Sequence, residues 1–132
     1  MRVLKSMVLS LCLLAYCGCG GKSTDELIAD VKSPQAGDRV KAVRLLPQRK
    51  EEAAKVVPAL IEALKDSQDD VRWSAAIGLG YFGEEAKDAI PPLQEAQHDP
   101  DARVREAAGV ALSRIDPSRF PDPTKQRPPR GN

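Results

Sequence analysis

Apolar residues recur along this chain in stripes with three- and four-residue spacing, and the stripes return every 33 residues. The positions that keep this interval form four sets: Leu27, Leu60 and Leu93; Arg39, Arg72 and Arg105; Ala42, Ala75 and Ala108; and Leu46, Leu79 and Leu112. A period of about 20 to 50 residues with helical spacing inside each unit indicates a solenoid, in which neighbouring units bury what one unit could not. We therefore predict an all-α fold, a short α-solenoid of about three helix-turn-helix repeats.

Each repeat is predicted to contain an outer and an inner helix, in units of residues 24–50, 51–83 and 84–115. Ser23 and Glu26 have capping-box spacing and are expected to open the first outer helix. The first inner helix is expected to run from about Gly37 to Leu46 and to stop at Pro47, because proline lacks the donor that continues a helix. Prolines at 58 and 91 are expected near the start of outer helices, with a bend after the Glu-rich lead.

The two ends of the chain differ from the repeats. Arg2 and Lys5 precede an uncharged apolar run at 7–16, which is the layout of an export signal and is shorter than the roughly 20 residues that span a bilayer. We predict a signal peptide at 1–18, a spacer at 19–23, the repeat domain at 24–115 and a Pro/Arg-rich tail at 116–132. The tail is expected to be disordered or extended. In the alternative, it folds back and Phe120 caps the last repeat.

All three cysteines lie in this N-terminal segment, Cys12 in the apolar run and Cys17 and Cys19 at its exit. The stretch from Leu13 to Cys19 resembles the lipobox of bacterial lipoproteins, in which a lipidated cysteine becomes the new N-terminus. Cys19 follows the small Gly18 and is the favoured lipidation site, and Cys17, which follows bulky Tyr16, is the alternative. The resemblance implies an exported protein anchored by lipid at a membrane of the bacterial envelope. The competing expectation is ordinary cleavage and a soluble protein in the periplasm.

Charge argues against nucleic acid as a partner. The chain has 20 basic and 19 acidic residues, and loss of Arg2 and Lys5 with the signal would leave 18 basic against 19 acidic. Surfaces that bind phosphate backbones need a large basic excess on one face, and this balance gives no reason to expect one.

The candidate catalytic and ligand-binding patterns are weak. Gly20 to Thr24 resembles the end of a phosphate-binding loop, but its first glycine would have to be residue 16, which is Tyr16. His98 is the single histidine, which is too few for a paired metal-ligand set, and no nucleophile accompanies it. We therefore predict no enzyme activity, no catalytic residue, no metal and no cofactor.

The repeat text resembles HEAT repeats, particularly the short subtype named after phycobilisome lyases. The match is carried by residues 57–66, 70–72, 75–80, 91–96, 99–105 and 107–112. The resemblance implies that inner helices line a concave side and that Arg39, Arg72 and Arg105 form a ladder between neighbouring repeats. The expected ladder partners are turn acids such as Asp70 and Asp101, and contact of these arginines with a binding partner is the alternative.

Trp73 is the residue that most suggests a binding surface. Its repeat counterparts are Val40 and Glu106, and a position that accepts glutamate is expected to be partly exposed. Tryptophan and arginine are common energetic anchors of protein interfaces. The candidate partner-binding residues are Arg72, Trp73, Ile77, Tyr81 and Arg105. Alternatively, the stripe packs against Val110 or Val43 of the adjacent repeats.

These observations together predict a non-catalytic protein–protein interaction module or scaffold that binds an unidentified protein and reaches the membrane through its N-terminal lipid. The repeat resemblance also permits an accessory or lyase-type enzyme subunit. Three repeats are near the minimum for a stable stack, so a self-associating envelope component, a homo-oligomer, is a third expectation.

Overall fold

The computed structural model describes residues 21–125, and the regular structure within that range is entirely helical. Its α-helices are α1 (Thr24–Asp30), α2 (Ala36–Leu45), α3 (Ala53–Ala63), α4 (Asp69–Phe82), α5 (Ile90–Ala96) and α6 (Ala102–Ile115). Three 3-10 segments connect the helix pairs: Leu46–Gln48, Lys50–Glu52 and Gly83–Ala89. The pairs α1/α2, α3/α4 and α5/α6 confirm the predicted all-α solenoid of three repeats.

The helix ends follow local sequence signals. The Ser23 side chain accepts a hydrogen bond from the Glu26 N–H, and the Glu26 carboxylate accepts one from the Ser23 N–H, which is the predicted capping box. Helix α2 ends at Leu45, and Pro47 lies in the 3-10 turn that follows, as its missing donor requires. The Asp101 side chain caps α6 by accepting hydrogen bonds from the Arg103 and Val104 N–H groups.

The equivalent prolines 58 and 91 occupy different places in their outer helices. Pro91 lies in the first turn of α5, and the preceding 3-10 segment contains a kink at Ala86, where φ is −100° and ψ is 25°. This agrees with the predicted bend. The predicted position was wrong for Pro58, which lies inside α3, because that helix already begins at Ala53. The bend itself is present after the Glu-rich lead, at Glu52, where φ is −109° and ψ is 28°.

The 33-residue pattern marks the core. The nine apolar residues of the periodic sets are all at most 2% exposed. Full burial of one leucine stabilises a fold by about 1.5–3 kcal/mol relative to leaving it exposed. The repeated leucines therefore carry a large share of the packing energy, and each repeat depends on its neighbour to cover them.

Helix α4 lies between α2 and α6 and packs on both. Two glycines of α4 permit the close approach of α6 and of the 3-10 turn that follows α2. A Cβ at Gly78 would lie 2.9 Å from the Pro47 ring, and a Cβ at Gly80 would lie 3.2 Å from the Ala111 Cα. The inner helices α2, α4 and α6 thus lie side by side and form one continuous face.

The segment after α6 returns to the repeats. The Phe120 N–H donates to the Asp116 carbonyl at 3.0 Å, and the Phe120 ring is partly buried against the core. Pro123 lies next to Gly109 of α6. The described part of the tail thus matches the fold-back expectation for Phe120, while residues 126–132 and the predicted signal and lipidation sites at 1–20 lie outside the described residues.

Candidate protein-binding site

A ridge of three side chains runs along the exposed side of α4. We call Trp73, Ile77 and Tyr81 the aromatic ridge; they are spaced four residues apart and so lie on successive turns. Trp73 and Ile77 are partly buried against the core, and Tyr81 is 56% exposed. The ridge therefore has a fixed base and an accessible edge.

Open grooves lie on both sides of the aromatic ridge. The groove between α2 and α4 has a volume of about 500 Å³ and includes Val43. The groove between α4 and α6 has a volume of about 460 Å³ and includes Val110. In the alternative considered from the sequence, the stripe packs against Val43 or Val110. These valines line the two grooves beside the ridge, and Tyr81 stays exposed.

Arginines from the two flanking inner helices, α2 and α6, surround the ridge. The guanidinium carbons of Arg44 and Arg103 each lie 5.9 Å from the centre of the Trp73 ring system, one on each side. Arg114 lies 5.7 Å from the Tyr81 ring centre. Such cation–π contacts are worth about 0.5–1 kcal/mol at exposed sites, so they also restrict the aromatic side chains to one orientation.

Sequence reasoning missed these flanking arginines, although a signal for them was present. Arg44 and Ile77 are 33 residues apart, as are Tyr81 and Arg114. Extending the repeat alignment from the Trp73 position to the next two turns of the inner helices would have found Arg44 and Arg114. Arg103 could not be found in this way, because its proximity to the Trp73 ring depends on how the second and third repeats stack.

Two of the three arginines predicted for the ladder, Arg39 and Arg72, pair with an acid of the next repeat, and these acids are different from those expected. Arg39 donates from Nε and Nη2 to both carboxylate oxygens of Asp66, at 2.7 and 3.0 Å. Arg72 makes the same two bonds to Asp99, at 2.8 and 3.0 Å. Each arginine thus forms a bidentate ion pair with an aspartate of the following repeat, in which two parallel N–H groups (the arginine fork) donate to the two carboxylate oxygens.

The prediction that Asp70 and Asp101 hold the ladder was wrong. Both carboxylates instead pair with Arg103, at 3.0 and 3.4 Å. The reason is their place at the start of inner helices, whereas the ladder runs through the turns, 27 residues ahead of each arginine. Asp101 also accepts from N–H groups of α6, which occupies its oxygens locally.

Each ladder aspartate also shapes its own turn. Asp66 accepts from the Gln68 N–H and Asp99 from the Asp101 N–H, both at 2.9 Å. The hydrogen bond from Arg72 is the largest influence on the pKa of Asp99 and lowers it below the ordinary 3.8. Burial is the largest influence on the pKa of Asp66 and would raise it, but its hydrogen bonds outweigh burial and leave that pKa lowered.

The predicted contact residues therefore separate into two places. Arg72 is committed to Asp99 in the ladder, and its side chain is only 15% exposed. Arg105 is exposed at the end of the ladder, where it donates from Nη1 to two main-chain carbonyls. Trp73, Ile77 and Tyr81 come together as the aromatic ridge, as the spacing predicted.

Among residues 21–125, no cluster of three or more His, Cys, Asp or Glu side chains could hold a metal ion. None of the helices described there is long and apolar enough to cross a membrane.

Comparison with known proteins identifies the class. The family model for HEAT repeats matches residues 24–120, so this chain belongs to the HEAT-repeat family. Repeats of this kind stack into extended surfaces that bind other proteins. No curated protein sequence matches the chain.

Several solved chains match this one, and a structure among them shares the fold over most of the chain. It is the complex of CpcE and CpcF of phycocyanin lyase from Nostoc sp. PCC7120, with 30% sequence identity and a TM-score of 0.66. The match covers 76% of this chain and 40% of the chain in that complex. This protein thus spans about two fifths of the length of that relative.

Proposed function

We propose that this protein is a non-catalytic adaptor that binds a segment of another protein across the inner helices α2, α4 and α6. The observation that carries the proposal is the aromatic ridge, which has a partly buried base, an exposed edge and an open groove on each side. Buried aromatic anchors with surrounding grooves are typical of interface hot spots. The HEAT-repeat class supports the same conclusion.

The chemistry of the face favours an acidic, partly apolar partner segment. Arg44 and Arg114 are exposed on opposite sides of the ridge, close to Trp73 and Tyr81. Their charges attract carboxylates, while the ring edges and the groove walls cover apolar side chains. A partner helix or extended segment with acidic residues beside leucine or phenylalanine fits both features.

The test compares recovery of partners after crosslinking in cells. The binding variant carries Tyr81→Ala and Arg114→Ala, which change exposed side chains and leave the ladder intact. The control variant carries Lys87→Ala, which removes an exposed charge from the segment before α5. A partner that is recovered with wild type and with the control, but lost with the double variant, supports the adaptor. Equal recovery with all three proteins contradicts binding on this face.

A second candidate function is an accessory subunit of the lyase kind. It is favoured by the 30% identity to a chain of the phycocyanin lyase complex. Because that relative is a complex of two proteins, CpcE and CpcF, the lyase reaction would need a second protein. Mixing the purified protein with a free bilin and recording visible absorbance tests it: a shifted, protein-bound band supports the lyase kind, and an unchanged spectrum opposes it.

We also propose that the adaptor is anchored by lipid on Cys19, with Cys17 as the alternative, at a bacterial envelope membrane. The support is the charged, apolar and small-residue order of residues 1–19. Stable anchoring needs more than one acyl chain, which a bacterial lipoprotein carries. Metabolic labelling with a palmitate analogue should mark wild type and Cys17→Ala but not Cys19→Ala. Absence of label together with release into the periplasm would favour the soluble form.

A further inference from the structure

The third repeat contains the ladder arginine, Arg105, and the same main-chain bonds to its turn. The aspartate of a following repeat is the one part of the ladder that it lacks among residues 21–125. Arg105 donates from Nη1 to the carbonyls of Asp99 and Pro100, at 2.8 and 2.9 Å. Arg39 uses the same nitrogen for the equivalent carbonyls of its own turn, at 2.9 and 3.3 Å. Two main-chain bonds thus hold the Arg105 guanidinium in the pose that Arg39 uses to bind a carboxylate.

That pose leaves the carboxylate-binding edge of Arg105 open. In Arg39 and Arg72 the Nε and Nη2 donors hold an aspartate of the following repeat. Among residues 21–125, no carboxylate accepts from these two donors of Arg105. We propose that this edge is a docking point for a different helical-repeat protein, whose first turn supplies an aspartate that extends the ladder by one rung.

A second copy of this chain fits the open edge poorly. The position equivalent to Asp66 in the first repeat is Ser33, 33 residues earlier. The Ser33 hydroxyl accepts from the Gln35 N–H at 3.2 Å, so it performs the turn role of the aspartate without its charge. Head-to-tail stacking of two copies would therefore place a neutral hydroxyl opposite the Arg105 fork.

The end of the stack is more polar than an internal repeat junction. Gln94 and Gln97 are exposed at the positions where the second repeat has the partly buried Ile61 and the buried Leu64. A contact on this surface gains little from apolar burial and depends on charge. The arginine fork is consequently the feature that would select one partner over another.

The tail restricts docking to one part of this end. Pro123 lies beside Gly109, one helical turn beyond Arg105, and covers the middle of α6. Pro100, Ala102 and Arg105 remain exposed at the turn. The partner therefore approaches at the turn side, where the ladder runs.

The test uses full-length copies of the chain in which one copy stands in for the partner. The acceptor copy carries Ser33→Asp and Arg105→Gln, so it offers the turn aspartate but has no fork of its own. Wild type is the donor. Sedimentation analysis should show a one-to-one complex at least about tenfold tighter than with a matched Ser33→Asn, Arg105→Gln acceptor, since a charge-assisted bidentate pair is worth more than one neutral hydrogen bond. The complex should weaken as salt is raised.

Two results would overturn the proposal. One is the absence of a complex with the aspartate acceptor, or equal affinity for the aspartate and asparagine acceptors. The other is self-association of wild type that disappears in Arg105→Gln, which would make a second copy the occupant. Loss of the complex when the donor carries Arg105→Gln supports the proposal.

Folding is checked for every variant by circular dichroism. If the acceptor does not fold, a charge-swapped pair tests the same contact. In this pair the donor carries Arg105→Asp, and the acceptor carries Ser33→Arg and Arg105→Gln. Failure of a folded swapped pair to associate also contradicts the proposal. Since Arg105 lies apart from the aromatic ridge, either outcome is independent of the adaptor test.

Discussion

At the scale of single residues, the ladder aspartates have two functions at once. Asp99 accepts from Arg72 of the preceding repeat and from the Asp101 N–H of its own turn. Its side chain is only 9% exposed, so both interactions are partly protected from water. Removing its charge would leave the Arg72 guanidinium half-buried without a counter-ion, which is costly.

The lowered pKa of Asp99 predicts a pH dependence of stability. A carboxyl whose folded-state pKa is below its ordinary 3.8 stabilises the fold fully above that value, and this contribution is lost as pH falls through the lower folded-state pKa. Asp99→Asn should therefore lower the free energy of unfolding at pH 7 by about 2 kcal/mol. The difference from wild type should shrink at pH 3.

Urea unfolding at pH 7, 5 and 3 measures this difference. Asp25→Asn is the control, since Asp25 is an exposed partner of Lys55 and its loss should cost under about 1 kcal/mol at pH 7. A gap between wild type and Asp99→Asn that stays constant down to pH 3 would show that the ladder charge does not set the stability.

At the scale of helices, the position of α4 depends on small residues on its two packed sides. Gly78 faces Pro47 and Leu60, and Gly80 faces Ala111. Glycine in a helix interior costs about 1 kcal/mol relative to alanine, so these positions trade helix propensity for close packing. The aromatic ridge lies at its present depth because α2 and α6 approach α4 this closely.

Substitution of two helical glycines should give opposite results. Gly78→Ala places a Cβ 2.9 Å from the rigid Pro47 ring, so we expect net destabilisation by about 1 kcal/mol despite the gain in helix propensity. Gly37→Ala in α2 meets no atom within 4 Å and should stabilise the fold by up to about 1 kcal/mol. Thermal melts of both variants provide the measurement. Stabilisation by both would mean that the Pro47 turn can move away from α4 at little cost.

The sequence predicted the helices well because their packing pattern repeats. Leu27, Leu60 and Leu93 lie in one register and are all buried, so a simple interval found the core. Contacts between repeats were harder to predict. The pairing of Arg72 with Asp99 depends on which turn lies beside which, and a one-dimensional pattern does not distinguish Asp99 from Asp101, two residues away. The same reason explains why Arg103 beside Trp73 was missed.

At the scale of the whole molecule, the described chain leaves few large apolar side chains uncovered. Among residues 21–125, Leu45 and Tyr81 are the exposed ones, at 43% and 56%. Ile115 is fully buried and Phe120 is partly buried at the end of the stack. The tail therefore supplies part of the cover that a fourth repeat would otherwise give.

Loss of the Phe120 ring should weaken the whole stack. Phe120→Ala is expected to lower the free energy of unfolding by about 1–2 kcal/mol, less than for a fully buried phenylalanine because the ring is only partly buried. Phe120→Leu retains an apolar cap and should cost clearly less. Chemical denaturation of the full chain measures both. Identical stability of wild type and Phe120→Ala would show that the tail does not cap the repeats.

The pairing rule of the ladder also determines how such a chain could grow. The middle unit contains both an acid, Asp66, and an arginine, Arg72, and it meets a matching group on each side. Gene duplication of that unit would give a four-unit protein in which each added arginine still faces an aspartate, and the binding face would lengthen without a mismatched junction. Duplication of the first unit would place Arg39 opposite Ser33, so the junction between those two repeats would lack its ion pair. Lengthening by recombination is therefore expected to start from the middle or the last unit, which contains its own acid and arginine, Asp99 and Arg105, and not from the first unit.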